Sequence, residues 1–397
     1  MADEMRPADP ARICCFLVLF TTVAAIPARA QSGMAPALDA SGNVSTVVEL
    51  TYPRSAGGGF GDPAVGAAFE SELFLSGTGP SALFRLRALA SASADEPSAY
   101  QPTNLTNAVS LDIREAEITL LLSPALSIRA GMLLRSLGLG SYGSPADPFA
   151  RLPDQGGFWG ASAEWAPIPD FSAIALASAD RAARDASFAG VEDIDAGAVI
   201  RLSAGALDTA LGAYGSGYGN GEARPVAYVS YPAFGFLGSL EAALSIPLGG
   251  AEAKPSESCR LELRRGLSAG ELSFELAAAY RGVFPGRSQS EFDSMIAALA
   301  GGGLPGDPFA PYYGRHYTEF SVYVERPDLF SFSGDFVLSL PVASMMLETE
   351  AELYSGDAGL FVKAALVLGA EDGEFRAIAR ATGTSELVIG AGLSYSF

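Results

Sequence analysis

From Asn43 to the carboxyl terminus, apolar and polar side chains alternate with a period of two, in runs separated by turn residues. The last run is the clearest. In Thr384 to Phe397, Leu387, Ile389, Ala391, Leu393, Tyr395 and Phe397 share one parity, while Glu386, Val388, Gly390, Gly392, Ser394 and Ser396, mostly small or polar, fall on the other. A strand turns successive side chains to opposite faces, so such a run predicts a strand with one apolar and one polar or small face. Other runs carry charge on the polar face. Leu261 and Leu263 oppose Arg260, Glu262 and Arg264. Leu272, Phe274 and Leu276 oppose Glu271, Ser273 and Glu275. Phe320, Val322 and Val324 oppose Glu319, Ser321, Tyr323 and Glu325, and Leu347, Ala351 and Leu353 oppose Glu348, Glu350 and Glu352. In Ser81 to Ala90, Arg85 and Arg87, with Leu83 and Leu89 on their parity, oppose Phe84, Leu86 and Ala88.

The runs predict eighteen strands, with sixteen as the nearest rival, each longer than the ~5–6 residues usual in soluble sheets. Short connections are expected at Gly77–Ser81, Ser123–Ala125, Pro167–Asp170, Ala204–Gly205, Pro232–Gly235, Gly266–Ala269, Pro327–Asp328 and Ser355–Asp357. Most intervening connections are longer, up to Gly282–Gly314; Pro341–Ser344 is the exception. If both ends of the sheet lie on one side, the count must be even, which assigns Ala370–Gly383 to a loop. Within Gly282–Gly314, Ser290 with Asp293 three residues on resembles a capping box. Phe292, Met295, Ile296 and Leu299 follow at helical spacing, which predicts a short amphipathic helix. That helix packs on neighbouring loops or folds inward to narrow the mouth.

An open sheet with one wet face would also alternate. No predicted helix is long enough to cover so large an apolar surface, and short and long connections alternate as in membrane barrels. The expected fold is therefore all-β, a single antiparallel transmembrane β-barrel. Composition agrees: 49% hydrophobic and 18% charged residues exclude disorder, and 45 Gly with 25 Pro suit many turns. Residues 1–30 read as a signal peptide, leaving 31–397 as the barrel. Arg6 and Arg12 precede the apolar stretch Ile13–Ile26, and Ala28-Arg29-Ala30 precedes Gln31. The apolar stretch is shorter than the ~20 residues a spanning helix needs. Beyond the leader only Cys259 remains, so no intrachain disulfide and no cysteine metal cluster is expected. A formal charge of −20 opposes nucleic-acid binding.

Two stretches carry a family resemblance. The closing strand with terminal Phe397 resembles that of bacterial outer-membrane β-barrels. Leu111–Leu152 is similar to a hairpin of large outer-membrane porin-like proteins: a strand through Arg114-Glu115-Ala116, the turn Ser123-Pro124-Ala125, a return to Arg129-Ala130-Gly131, then the loop Ser144-Pro145-Ala146-Asp147-Pro148-Phe149. That group has an Asn-Pro-x-Asp loop, and Ser144 replaces the Asn. The resemblance implies an outer-membrane channel for small hydrophilic solutes or ions. It also implies membrane lipid as surroundings and the barrel assembly machinery as a partner of the strand ending in Phe397. No residue marks an oligomer face, and a homo-oligomer stays open.

The chemistry such a chain needs lies on its charged inward faces. In lipid an Arg near the midplane costs ~2–4 kcal/mol, which places these charges toward the lumen. Arg85, Arg87, Asp112, Arg114, Glu115, Glu117, Arg129 and Arg135 form one group. Arg260, Glu262, Arg264, Glu348, Glu350 and Glu352 form the rest. They either stiffen the wall as salt bridges or screen solutes by charge. Parity slips between Arg114 and Glu115, which predicts a bulge. His316, the only histidine, is the one candidate base for an outer-membrane hydrolase, yet no nucleophile elbow accompanies it. The acidic clusters Glu192–Asp195 and Glu371-Asp372 lack calcium-loop spacing. No cofactor or metal is expected. Two further readings remain: a barrel plugged by its own loops that acts as a structural or adhesive surface protein, and the hydrolase.

Overall fold

The computed structural model describes residues 37–52, 60, 63–95, 108–133, 144–147, 158–179, 194–216, 221–249, 255–285, 289–300, 316–340, 344–370, 373–382 and 385–396. The first six strands are β1 (Ala37–Tyr52), β2 (Ala64–Thr78), β3 (Ala82–Asp95), β4 (Ala108–Ser123), β5 (Leu126–Leu133) and β6 (Phe158–Ile168). The next six are β7 (Phe171–Ser178), β8 (Asp195–Ala204), β9 (Leu207–Ser216), β10 (Glu222–Ala233), β11 (Phe236–Pro247) and β12 (Ser256–Ala269). The last six are β13 (Leu272–Phe284), β14 (His316–Arg326), β15 (Phe330–Leu340), β16 (Ser344–Ser355), β17 (Ala358–Gly369) and β18 (Leu387–Ser396). Two helices interrupt the series, α1 (Gln289–Ala300) and α2 (Glu374–Thr382).

Each strand pairs antiparallel with its neighbours in sequence, and β1 pairs with both β2 and β18, so the sheet closes. The seam runs from Asn43↔Ser396 to Tyr52↔Leu387. Closure satisfies every edge strand, as a sheet in lipid requires. The outer face is greasy throughout. Leu211, Leu240, Leu261, Leu263 and Leu393 are large, apolar and exposed, on strand parities that repeat around the wall. Aromatic residues gather near both ends, with Trp165 against Phe171 beside one short turn and Tyr280, Phe284 and His316 at the long-loop end. Such girdles mark lipid–water boundaries.

Short turns close tightly where glycine supplies a left-handed backbone. Gly205, Gly235, Gly270 and Gly356 have φ between 62° and 77°. This also corrects one expected turn. The β12–β13 hairpin reverses at Gly270-Glu271, whereas Gly266–Ala269 stays in the ladder, with Leu267 opposite Phe274. Gly270, the residue at φ 64°, sets the reversal point.

The expected bulge is present. Arg87 faces Glu115, yet Ala88 faces Ile113, so Arg114 is the extra residue on β4. The helix expected in Gly282–Gly314 is α1, and Ser294 donates to the Ser290 carbonyl at 2.7 Å within it. Helix α2 was not anticipated: its residues fall in the segment assigned to a loop. Its signal was there, since Phe375, Ile378, Ala379 and Thr382 recur at helical spacing. Glu374 and Arg380 also complement the helix dipole at its two ends. Helix α1 packs against α2.

Candidate functional site: the lumen wall and its two inward insertions

The inner face is the parity opposite the exposed leucines, and two apolar patches on it are covered by inserted chain. Leu133, Phe158, Leu176, Val199, Ala210, Val226 and Ala243, from β5 to β11, form a buried cluster with Ala146. The covering segment is the turn Ser144–Asp147. The Asp147 amide donates to the Ser144 carbonyl at 3.2 Å, and the Ala146 amide to Ser144 Oγ at 3.1 Å. Tyr214 on β9 donates to the Pro145 carbonyl at 3.1 Å, and Ser144 Oγ donates to Glu241 on β11. This strap lies in the Pro/Asp loop of the family-like stretch. The strap and α2 are the described segments seated on the inner wall; α1, for which the sequence leaves open packing on neighbouring loops or narrowing the mouth, packs on α2.

The second insertion is α2. Phe375 packs on Tyr317 and Val337, with Met346 and Val367 alongside. The buried Tyr317 hydroxyl donates to Glu374, 2.7 Å from each carboxylate oxygen, and Ser339 Oγ donates to Oε2 at 2.8 Å. Arg376 pairs with Glu386 at 3.0 Å and donates to the Gly369 carbonyl at 2.7 Å. Leaving a buried carboxylate short of a donor costs ~1–3 kcal/mol. Tyr317→Phe is therefore expected to loosen α2, seen as faster amide hydrogen exchange over residues 374–382 with the strand amides unchanged. Unchanged exchange would show that the hydroxyl does not hold the helix.

Charges between the insertions fall into groups. Arg260 is the hub of the densest. Its Nη2 lies 2.5 Å from Glu262 and 3.1 Å from Glu319, and its Nη1 lies 3.6 Å from Glu241. Arg281 pairs with Glu319 at 3.2 Å, while Arg264 bridges Glu262 at 3.0 Å and Glu275 at 3.1 Å. Glu241 links this cluster to the strap through Ser144.

A second group lines β1–β4. Arg87 pairs with Glu72 and lies over the Phe74 ring, 5.0 Å from its centroid. With Glu70, Arg114, Asn43, Ser45 and Leu89 these residues bound a cleft of about 320 Å³. Arg85 is exposed and sits opposite Glu117, which accepts from Thr119 at 3.0 Å. Glu115 faces Arg87, and Arg129 pairs with Glu164 at 2.9 Å. On β16, Glu348 and Glu350 are exposed, while Glu352 accepts from Ser394 at 2.6 Å and Tyr354 at 2.9 Å. Asp112 sits in the β4 ladder opposite Leu89, its side chain outside the described residues. Arg135, Phe397 and the leader lie wholly outside them.

Several charged partners escaped sequence reading: Glu72, Glu164, Glu241, Arg281 and the pair Arg201–Asp208, whose Nε lies 3.0 Å from both carboxylate oxygens. Glu164, Glu241 and Asp208 are the lone charged residues of their strands. Strand parity placed each inward, but only the neighbouring strand reveals its partner. His316 lies on the outward parity. Its Nδ1 meets the Tyr280 hydroxyl at 2.7 Å and its ring abuts Phe284, an aromatic girdle setting.

A closed eighteen-strand antiparallel barrel, greasy outside and charged inside, defines the class: this is a transmembrane β-barrel fold of the size that porins have. No protein-family model matches the sequence, and no curated protein matches it. Solved structures match across nearly the whole fold. Pseudomonas aeruginosa OccK11 (OpdR) aligns at TM-score 0.54 and 15% identity, covering 91% of this chain and 96% of its own. P. aeruginosa OccK7 (OpdD) aligns at 0.53 and 11%, covering 91% and 98%. P. aeruginosa OccK5 (OpdH) aligns at 0.51 and 15%, covering 90% and 98%. At such identities the likeness is one of fold.

Proposed function

We propose that the chain is an outer-membrane channel that passes small hydrophilic solutes or ions by diffusion through its charged lumen. The observation that carries this reading is charge on the inner face that stays open to solvent, at Arg85, Glu70, Glu348 and Glu350. Ionised groups of this kind need water around them, and a barrel of eighteen strands is wide enough to hold it. Selectivity then follows from size at the two insertions and from the field between them. No covalent step is involved, and no role in catalysis is assigned to His316. Residues 1–30 act as the export signal, and the strand ending in Phe397 is the element offered to the barrel assembly machinery.

Planar-bilayer recording tests the reading. The wild-type chain is expected to give discrete conductance steps; a sealed surface barrel passes no current. Replacing Arg85, Arg87 and Arg114 together by Ala is expected to move the reversal potential under a salt gradient toward cation preference. Unchanged permeability ratios would show that these arginines stiffen the wall without filtering.

A further inference from the structure

Among the described residues two cations share the outward parity at the short-turn end: Arg326 on β14, which is bonded to Glu271, and Arg265. Arg265 on β12 shares the parity of Leu261, Leu263 and Leu267, all exposed on the outer face. Its guanidinium lies over the Phe236 ring, 4.9 Å from the centroid. Tyr231, which shares this outer parity opposite Gly238, is half exposed beside it. Among the described residues no carboxylate pairs with Arg265. The ring satisfies one face of the guanidinium but accepts none of its in-plane N–H donors, and a guanidinium carries five.

The neighbouring turn shows a second feature. Phe234 is 99% exposed, with φ of 53°, followed by Gly235 at 77°. That is the left-handed pair of a tight hairpin turn, which Asn or Gly adopts readily and a bulky aromatic residue does not. The strained position thus presents an aromatic ring outside the barrel wall. It stands next to Gly235, whose Cβ position lies 3.9 Å from an Arg265 terminal nitrogen. An aromatic tip, an aromatic shelf and an in-plane donor set without acceptors meet at one rim.

We propose that this rim, formed by Phe234, Phe236 and Arg265 with Tyr231, binds the phosphate of a phospholipid in the periplasmic leaflet. The phosphate oxygens accept from the edge of the Arg265 guanidinium, the bidentate geometry that group prefers. The acyl chains run up the wall over Leu263 and Leu240, and Phe234 anchors at headgroup depth as interfacial aromatics do. The inference rests on reading the outer face as lipid-covered.

Native mass spectrometry of the folded barrel, with dimyristoyl-phosphatidylglycerol as the probe, tests it. Arg265→Gln is expected to lower the bound-lipid population about fivefold, the usual effect of one basic residue at an anionic surface. Phe234→Gly, which relieves the backbone, is expected to lower it as well. Millimolar inorganic phosphate is expected to leave the lipid bound. Arg265→Gln binding lipid as the wild type does overturns the proposal, and so does displacement by inorganic phosphate, which would make this a free-anion site. Should Arg265→Gln fail to fold, judged by its heat-modifiable gel migration, the wild-type barrel decides: equal binding of dimyristoylglycerol, which has the chains without the phosphate, overturns it. Channel conductance fails or holds separately, because Arg265 does not face the lumen.

Discussion

Arg260→Met is expected to destabilise the barrel by about 3–5 kcal/mol, the usual result of removing one partner from a buried ion-pair group. Arg260 stands between Glu241, Glu262 and Glu319, and Glu241 is only 1% exposed. Met keeps most of the side-chain volume, so the loss isolates the charge. Arg281 still compensates Glu319, and Arg264 still compensates Glu262. Glu241 keeps the hydrogen bond from Ser144 and the more distant charge of Arg281 but loses its ion pair, so the damage concentrates there and on the strap. Urea unfolding of the barrel in lipid vesicles measures the loss. Adding Glu241→Gln to Arg260→Met is expected to recover a substantial part, because the orphaned charge is then gone. A double variant as unstable as the single one would show that Arg260 acts by packing alone. The single variant is also expected to free the strap, seen as altered channel current noise.

The second large effect falls on the seam. Gly390 and Gly392 lie two residues apart on β18, both on the inner parity, and their surroundings differ. A Cβ on Gly390 would stand 2.9 Å from Lys363 Cε, the flexible end of a side chain. Lys363, Gly390 and Glu49 are aligned across β17, β18 and β1, and the ammonium crosses the bare glycine to reach Glu49 at 2.5 Å. A Cβ on Gly392 would stand 2.0 Å from the Thr46 carbonyl oxygen on β1 and 2.5 Å from the Phe361 ring. Backbone in the closing ladder cannot swing aside, whereas a lysine stem can. Gly392→Ala is therefore expected to impair closure of β1 on β18, with little heat-resistant barrel on gels. Gly390→Ala is expected to fold, with a modest loss as Lys363 shifts. Equal folding of both variants would refute this account of the seam.

Much of the architecture was legible along the chain. Alternation in Leu387–Ser396 and in Arg260–Arg264 reflects the two-residue repeat of a strand, a local property that needs no partner. Lipid outside and water inside make that repeat obligatory, so strand number, closure parity and the inward charges could be read residue by residue. The slip at Arg114 was visible for the same reason. The helix in 289–300 announced itself by capping and spacing. Helix α2 is only nine residues long, so its periodicity covers little more than two turns and is a weak local signal beside the strands that flank it.

Pairing was decided only in three dimensions. Ser144 meets Glu241 across 97 positions of sequence, and Tyr317 meets Glu374 across 57. No local pattern encodes such contacts, because they depend on how strand register and loop entry bring distant side chains to one height of the wall. The sequence by itself determined a barrel with a greasy outside and an ionised inside, since each strand must satisfy lipid on one face. Which charges neutralise one another, and which segments narrow the passage, followed from closure, because only a closed sheet brings these distant strands around one shared interior.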